Sequence, residues 1–171
     1  MLGVGNILLS DDGVGVRALE LLEESYSFSP QVTLLDGGTG GLTLVSALTG
    51  KTLVIILDAV SIEEGGGKAV SGSKAVPGSL VRIEGSRLEK ALSVRSQLGS
   101  LHDIGMNEVL MISALEDKAP NVILIGMTPE SIAPGTELSP VVREALSGMA
   151  DMVVTELKHV GVKIRRQSKT V

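Results

Sequence analysis

Three aspartates and one histidine stand where side chains from different loops are expected to meet. Asp12, Asp36 and Asp58 each follow an apolar run, and His102 lies at the predicted start of a helix. Carboxylate oxygens and imidazole nitrogens bind borderline divalent metals, and a carboxylate can also act as a general base. Two of these carboxylates together with the imidazole of His102 are therefore a candidate metal site.

A structural role is the simpler interpretation of any one of these aspartates. Aspartate is common at strand ends and helix starts, where its side chain caps the following turn. We assign Asp11 to that class. Like charges gathered at one edge of a sheet cost free energy unless a cation, a proton or backbone N–H groups offset them. Three carboxylates on one edge therefore keep the functional interpretation open.

The two histidines of the chain differ in their surroundings. His159 lies near the predicted end of the last helix, where a cation is favourable, so we assign it a structural or surface role. His102 lies in Leu101-His102-Asp103-Ile104-Gly105, and a helix start in a parallel α/β fold lies at the same edge as the carboxyl ends of the strands.

The elements that must position these residues follow from the alternation of apolar runs with helical patterns. This alternation predicts one α/β domain over 1–171, with a mostly parallel, twisted sheet of about five strands sandwiched by helices. We predict an excursion at 61–78, mobile and rich in Gly, Ser and Lys, and a flexible tail at 165–171. The predicted strands are 2–4, 31–35, 53–57, 80–83, 122–125 and 162–164, and the predicted helices are 12–25, 42–48, 102–115 and 139–159.

Composition excludes several classes of function. With 15 basic and 20 acidic residues the net charge is −5, which argues against a nucleic-acid-binding face. Cysteine is absent, so a disulfide, a zinc knuckle and a thiol nucleophile are excluded. The first residues are apolar but lack a basic leader, and no apolar stretch has the length of a membrane span. We expect a cytoplasmic protein.

Three familiar motifs are incomplete. The run that starts Gly3-Val4-Gly5 has Leu8 at the third glycine position of a dinucleotide-binding loop, and Gly50-Lys51-Thr52 lacks the earlier glycine of a phosphate-binding loop. A serine triad with His102 lacks a nucleophile elbow. The serines that would serve it are Ser10, Ser61 and Ser100.

Five short blocks of Gly, Asp and His residues carry a resemblance to a known family. The blocks are Gly3-Val4-Gly5-Asn6-Ile7-Leu8-Leu9-Ser10-Asp11-Asp12-Gly13-Val14-Gly15-Val16, Asp36-Gly37-Gly38-Thr39, Leu57-Asp58-Ala59, His102-Asp103-Ile104-Gly105 and Ile125-Gly126-Met127-Thr128-Pro129-Glu130-Ser131. Together they resemble the hydrogenase maturation endopeptidases. The resemblance spans nearly the whole chain, and the ordered set of blocks is more specific than any single block.

The resemblance implies an aspartyl-type endopeptidase that removes a carboxyl-terminal extension from the large-subunit precursor of a nickel-iron hydrogenase after nickel insertion. By position, Asp12, Asp58 and His102 would contact the metal, and Asp12 stands where some relatives have Glu. Asp36 would be a further acidic residue near the scissile bond. The nickel would come with the precursor, and no organic cofactor, nucleic acid or membrane is implied.

Two other functions remain possible at this stage. One is a nucleoside- or nucleotide-binding α/β module, which would bind its ligand without a metal. The other is a nickel-binding chaperone that transfers metal without hydrolysis. The segment 65–78 is a candidate contact surface for a protein substrate.

Overall fold

A five-stranded sheet forms the centre of the computed structural model, which describes residues 1–30, 32–40, 44, 48–60, 76–85, 88 and 120–167. Four strands are parallel, and the fifth, at one edge, is antiparallel to its neighbour. The predicted fold, an α/β domain with a mostly parallel sheet of about five strands, is confirmed. From edge to edge the strands are β3 (Leu35–Gly38), β1 (Leu2–Val4), β4 (Leu53–Ala59), β6 (Asn121–Met127) and β5 (Leu80–Glu84).

Two helices cover one face of this sheet. A 3-10 helix (Ser10–Gly13) leads into α1 (Val14–Ser25), and α2 is Pro140–His159. Both helices bury an apolar stripe against the sheet, and each fully buried aliphatic side chain contributes about 1.5–3 kcal/mol. The side chains in this cluster include Val14, Ala18, Leu22, Ile55, Leu57, Ile125, Val142, Met149 and Val153.

The opposite face of the sheet buries a second apolar cluster. It contains side chains from β1, β4, β5 and β6 and from several residues outside the strands, and it explains why β4 and β6 are apolar on both faces. Its members include Leu2, Val4, Leu44, Leu48, Ile56, Val60, Leu88 and Leu124.

A second, two-stranded sheet was only half predicted. Here β2 (Tyr26–Ser29) pairs antiparallel with β7 (Lys163–Arg166), so that Phe28 lies opposite Ile164. The sequence analysis missed β2, and it placed Arg165 and Arg166 in a flexible tail. That predicted tail starts too early, because both residues pair with β2 and the backbone N–H of Gln167 donates to Ser25 O at 2.8 Å.

Two further boundaries differ from the predictions. The helix predicted from Asp12 starts at Val14, because the four preceding residues form the 3-10 helix. The strand predicted at 31–35 is instead β3, and its pairing with β1 begins at Leu35. Gly37 permits this pairing, because a Cβ there would lie 2.7 Å from Leu2 Cδ1.

Several predictions fall wholly or mostly outside the described residues. These are the excursion at 61–78, the helices at 42–48 and 102–115, and the end of the tail. Within the described residues, no helix is both long and apolar enough to cross a bilayer.

Edge strand β5 is joined to α2 by an ion pair. Arg82 Nε donates to Glu156 Oε1 at 2.6 Å, and its Nη2 donates to Glu84 Oε2 at 2.8 Å. The Arg82 guanidinium therefore bridges a helix and its own strand.

Candidate active site

Asp58 lies near the carboxyl end of the central strand β4. The strand continues to Ala59, so Asp58 lies within it and not directly after it as predicted. The preceding residue, Leu57, is fully buried in the cluster under α1. Because side chains alternate along a strand, Asp58 lies on the other face, with Ile56 and Val60. Asp58 itself is partly buried.

Asp12 lies in the 3-10 helix that follows β1 and is also partly buried. Its Oδ2 accepts a hydrogen bond from the backbone N–H of Asn6 at 2.7 Å. Its own backbone N–H donates to Leu9 O at 3.1 Å. One carboxylate oxygen is thus anchored by the loop, and among the described residues Oδ1 accepts no hydrogen bond from a protein donor.

The glycines before Asp12 serve close approach of the backbone. Gly5 has φ +124°, and a Cβ at this position would overlap the carbonyl oxygen of Asp12. Its backbone N–H donates to Gly38 O at 2.9 Å, which joins the loop to β3. The Gly-x-Gly run therefore allows the chain to fold back over the end of β1, and this role requires no bound nucleotide.

The first turn of α1 brings Asp12 and Asp58 to the same edge of the sheet. A Cβ at Gly15 would overlap Leu57 O and would also contact Val4 O, so the helix rests directly on the ends of β4 and β1. Asp12 precedes Gly15 by three residues, about 5 Å along the helix axis. Asp58 follows the contacted Leu57 carbonyl directly. Both residues therefore lie at this edge of the sheet, on two different elements, and their convergence on one metal ion stays a prediction.

The structure places Asp36 apart from Asp58. It pairs with Gly3, whose other neighbour is Leu57, so the width of β1 separates Asp36 from the central strand. Alternation from Leu35 places its side chain on the opposite face from Asp58. Asp36 is exposed, and its Oδ1 accepts the backbone N–H of Gly38 at 2.9 Å. Its role near a scissile bond stays a prediction.

The third predicted ligand, His102, lies outside the described residues. In the part of the chain that the structure describes, no group of three or more His, Cys, Asp or Glu side chains could hold a metal ion. Asp12, Asp36 and Asp58 therefore do not form such a group by themselves. Of the candidate serines, Ser61 and Ser100 also lie outside that part, and Ser10 Oγ donates to Ala133 O at 2.9 Å.

Asp11 has a role that the sequence analysis did not identify. It is fully buried and caps no turn of its own helix. Instead Oδ1 accepts Ser139 N–H at 2.7 Å, while Oδ2 accepts Glu130 N–H, Ser131 N–H and the Ser139 hydroxyl at 2.9, 3.0 and 2.8 Å. Burial would raise the pKa of Asp11, but the hydrogen bonds from Ser139, Ser131 and Glu130 outweigh it and hold the pKa below its ordinary value.

The chain is similar to several proteins of hydrogenase maturation. A family model described as hydrogenase maturation protease matches residues 16–156, a segment that includes Asp36, Asp58 and His102 and starts after Asp12. The chain is 33% identical over 169 residues to the hydrogenase expression/formation protein HupD of Thiocapsa roseopersicina, covering 98% of this chain and 71% of the relative. It is 32% identical over 164 residues to the hydrogenase 2 maturation protease of Escherichia coli (strain K12), covering 95% and 92%.

The fold agrees with these sequence similarities. The structure of the hydrogenase maturating endopeptidase HybD from E. coli superposes with a TM-score of 0.84 and 29% identity, over 99% of this chain and 97% of that one. The family model spans most of the chain, and two relatives about one third identical are similar over nearly all of it. The chain therefore belongs to the hydrogenase maturation protease family and is an endopeptidase of hydrogenase maturation.

Proposed function

We propose that this endopeptidase removes the carboxyl-terminal extension of a nickel-iron hydrogenase large-subunit precursor after nickel insertion. It recognises the nickel held by the precursor through Asp12, Asp58 and His102. The family assignment supports this function over the nucleotide-binding module and the metal chaperone.

The observation that most supports this proposal is the contact between the start of α1 and the end of β4. Gly15 lies against Leu57 O, so the loop that carries Asp12 and the strand that carries Asp58 are fixed relative to each other. Asp12 is partly buried, with Oδ2 held by Asn6 N–H. Among the described residues no protein donor binds Asp12 Oδ1, and a carboxylate held through one oxygen suits the binding of a metal ion through the other.

The chemistry requires a carboxylate with a fixed position. Nickel in the precursor has open coordination sites, and carboxylate and imidazole ligands from the protease suit a borderline divalent ion. Docking then depends on the metal, so cleavage follows only after insertion. In peptide hydrolysis a carboxylate of this site accepts a proton from the attacking water, and Asp36 is the further acidic residue that we assign near the scissile bond.

Substitution of the proposed ligands should abolish cleavage of a nickel-loaded precursor without unfolding the protease. We expect that Asp58→Asn and His102→Ala each leave the precursor at full length, as measured by mass spectrometry. The wild-type protein should shorten the nickel-loaded precursor and leave the nickel-free precursor intact. Thermal unfolding of each variant checks that the fold is retained.

Two exposed residues on α2 provide matched controls. Asp151→Asn and His159→Ala make the same chemical changes away from the carboxyl edge of the sheet. Both variants should cleave the nickel-loaded precursor at the wild-type rate. Retained cleavage by both Asp58→Asn and His102→Ala would contradict the proposed ligand set. Metal transfer from the protein without shortening of the precursor would instead support the chaperone.

A further inference from the structure

The loop before Asp12 and the loop after β6 are joined mainly by polar contacts. Eight hydrogen bonds connect residues 8–11 with residues 130–139, and we call this contact the Asp11 joint. Five of the eight involve Asp11, four through its carboxylate and one through its backbone N–H, which donates to Ser131 O at 3.1 Å. The buried carboxylate is therefore the main connection between the two loops.

Apolar packing holds the two loops at few points. Leu138 is buried in the core cluster, but Leu8 and Ile132, on either side of the hydrogen bonds to Asp11, are 60% and 63% exposed. Hydrogen bonds to a charged acceptor are shorter and roughly twice as strong as neutral ones. The position of the backbone at Asp11 is consequently set by the joint.

The same backbone position determines where the next carboxylate points. Asp12 follows Asp11 directly, and its Oδ2 is held by Asn6 N–H on the other side of the loop. Asp12 is thus fixed from two sides, by the joint at Asp11 and by the hydrogen bond from Asn6. A ligand that must meet a metal carried by another protein benefits from such a fixed position, because the ordering is done before binding.

We propose that Asp11 is a positioning residue that holds Asp12 in place for the nickel of the precursor. This inference rests on the proposed function, because it concerns the nickel-binding role of Asp12. Asp11 does not contact the substrate. It acts through the loop after β6, and its effect on recognition is separate from its effect on stability.

The test compares binding of nickel-loaded and nickel-free precursors to Asp11→Asn. The ratio of the two dissociation constants does not depend on the folded fraction, so a purely structural role would leave this ratio unchanged. We expect the preference for the nickel-loaded precursor to fall about 10- to 100-fold, the usual range of lost metal affinity when the groups that support a metal ligand are mutated. Amide hydrogen exchange at 6–12 and 130–135 should also become faster.

Ser139→Ala keeps the test decisive if Asp11→Asn does not fold. It removes one donor to Asp11 and leaves the backbone donors in place, so the preference should fall about threefold, a fraction of the effect of one charged hydrogen bond. Asp151→Asn, on the exposed face of α2, should change neither the binding ratio nor the exchange rates.

The possible outcomes separate this inference from the proposed function. If Asp12→Asn removes the preference for nickel while Asp11→Asn, or Ser139→Ala in its place, retains it, the positioning role is wrong and the function stands. If Asp12→Asn also retains the preference, the nickel-binding role of Asp12 is wrong, and with it both proposals. Faster exchange with an unchanged binding ratio would reduce Asp11 to a purely structural residue.

Discussion

The two ends of α1 are held in different ways. At its amino end the preceding loop is fixed by a buried carboxylate and directional hydrogen bonds, with Leu8 largely exposed. At its carboxyl end the chain continues into β2, which pairs through its backbone with β7 and packs Tyr26 and Phe28 against the core. The first arrangement fixes geometry, and the second mainly contributes buried apolar surface.

Because the two ends are held differently, substitutions at the amino end of α1 should affect function and those at the carboxyl end should affect mainly stability. Hydrogen bonds to a buried charge depend steeply on angle and distance, so small changes at the amino end of α1 should move Asp12. Apolar contacts at the carboxyl end tolerate small shifts, and their loss should lower the free energy of unfolding without changing recognition.

The largest effect on stability is expected from Asp11→Asn. The four groups that now donate to the carboxylate would face a neutral side chain whose NH2 group cannot accept a hydrogen bond. The free energy of unfolding should therefore fall by about 4 kcal/mol near neutral pH. The pKa of Asp11 is lowered in the folded protein, so its contribution is complete above the ordinary value of 3.8 and disappears as the pH falls through the folded value. Urea unfolding of the wild-type protein and of Asp11→Asn should be measured from neutral pH to below pH 3.8. The difference between their free energies of unfolding should shrink over this range, and a constant difference would contradict this account.

A smaller loss of stability is expected from Gly15→Ala. The added methyl group would overlap Leu57 O and must lift the start of α1 from the sheet, which should cost about 3 kcal/mol. Cleavage should fall further than the folded fraction explains, because Asp12 moves relative to Asp58. The control is Gly148→Ala within α2, where the new Cβ would meet only Leu80 Cδ1 at 3.0 Å. Its stability should change by less than about 1 kcal/mol and its cleavage not at all.

Phe28→Ala should have the smallest of the three effects and tests the other end of α1. Phe28 is partly buried opposite Ile164, and its truncation should lower the free energy of unfolding by about 2 kcal/mol. The kcat/KM of the folded fraction should stay at the wild-type value. A fall in kcat/KM larger than the unfolded fraction explains would show that the two ends of α1 are coupled. The contrast between a functional amino end and a stabilising carboxyl end would then be wrong.

The parts of the fold that were predictable are those with a strong local pattern. The apolar runs of β4 and β6 are covered on both faces, and Ser139-Pro140 marks the start of α2. In contrast, β3 was displaced because its Gly37-Gly38 pair has low strand propensity, and its pairing with β1 overrides that preference. The alternation of Tyr26-Ser27-Phe28-Ser29 was a usable signal for β2 that the sequence analysis did not use.

For the candidate site, the placement of two residues at one edge of the sheet was predictable. The position of Asp12 and Asp58 at one sheet edge followed from the rule for parallel sheets. The joint at Asp11 did not, because its partners lie 119 to 128 residues away and no local pattern marks them. Asp36 was placed with the others because it was expected after a strand, whereas it lies within β3 on the other face from Asp58.

The bridge made by Arg82 also affects how another chain can approach. Within the described sheet β5 is an edge strand, and the charged residues Arg82 and Glu84 disfavour the addition of a further strand there. The contact with Glu156 ties this edge to α2, so that Arg82 cannot turn away without losing its ion pair. This side of the sheet is thereby protected against unwanted pairing with another chain.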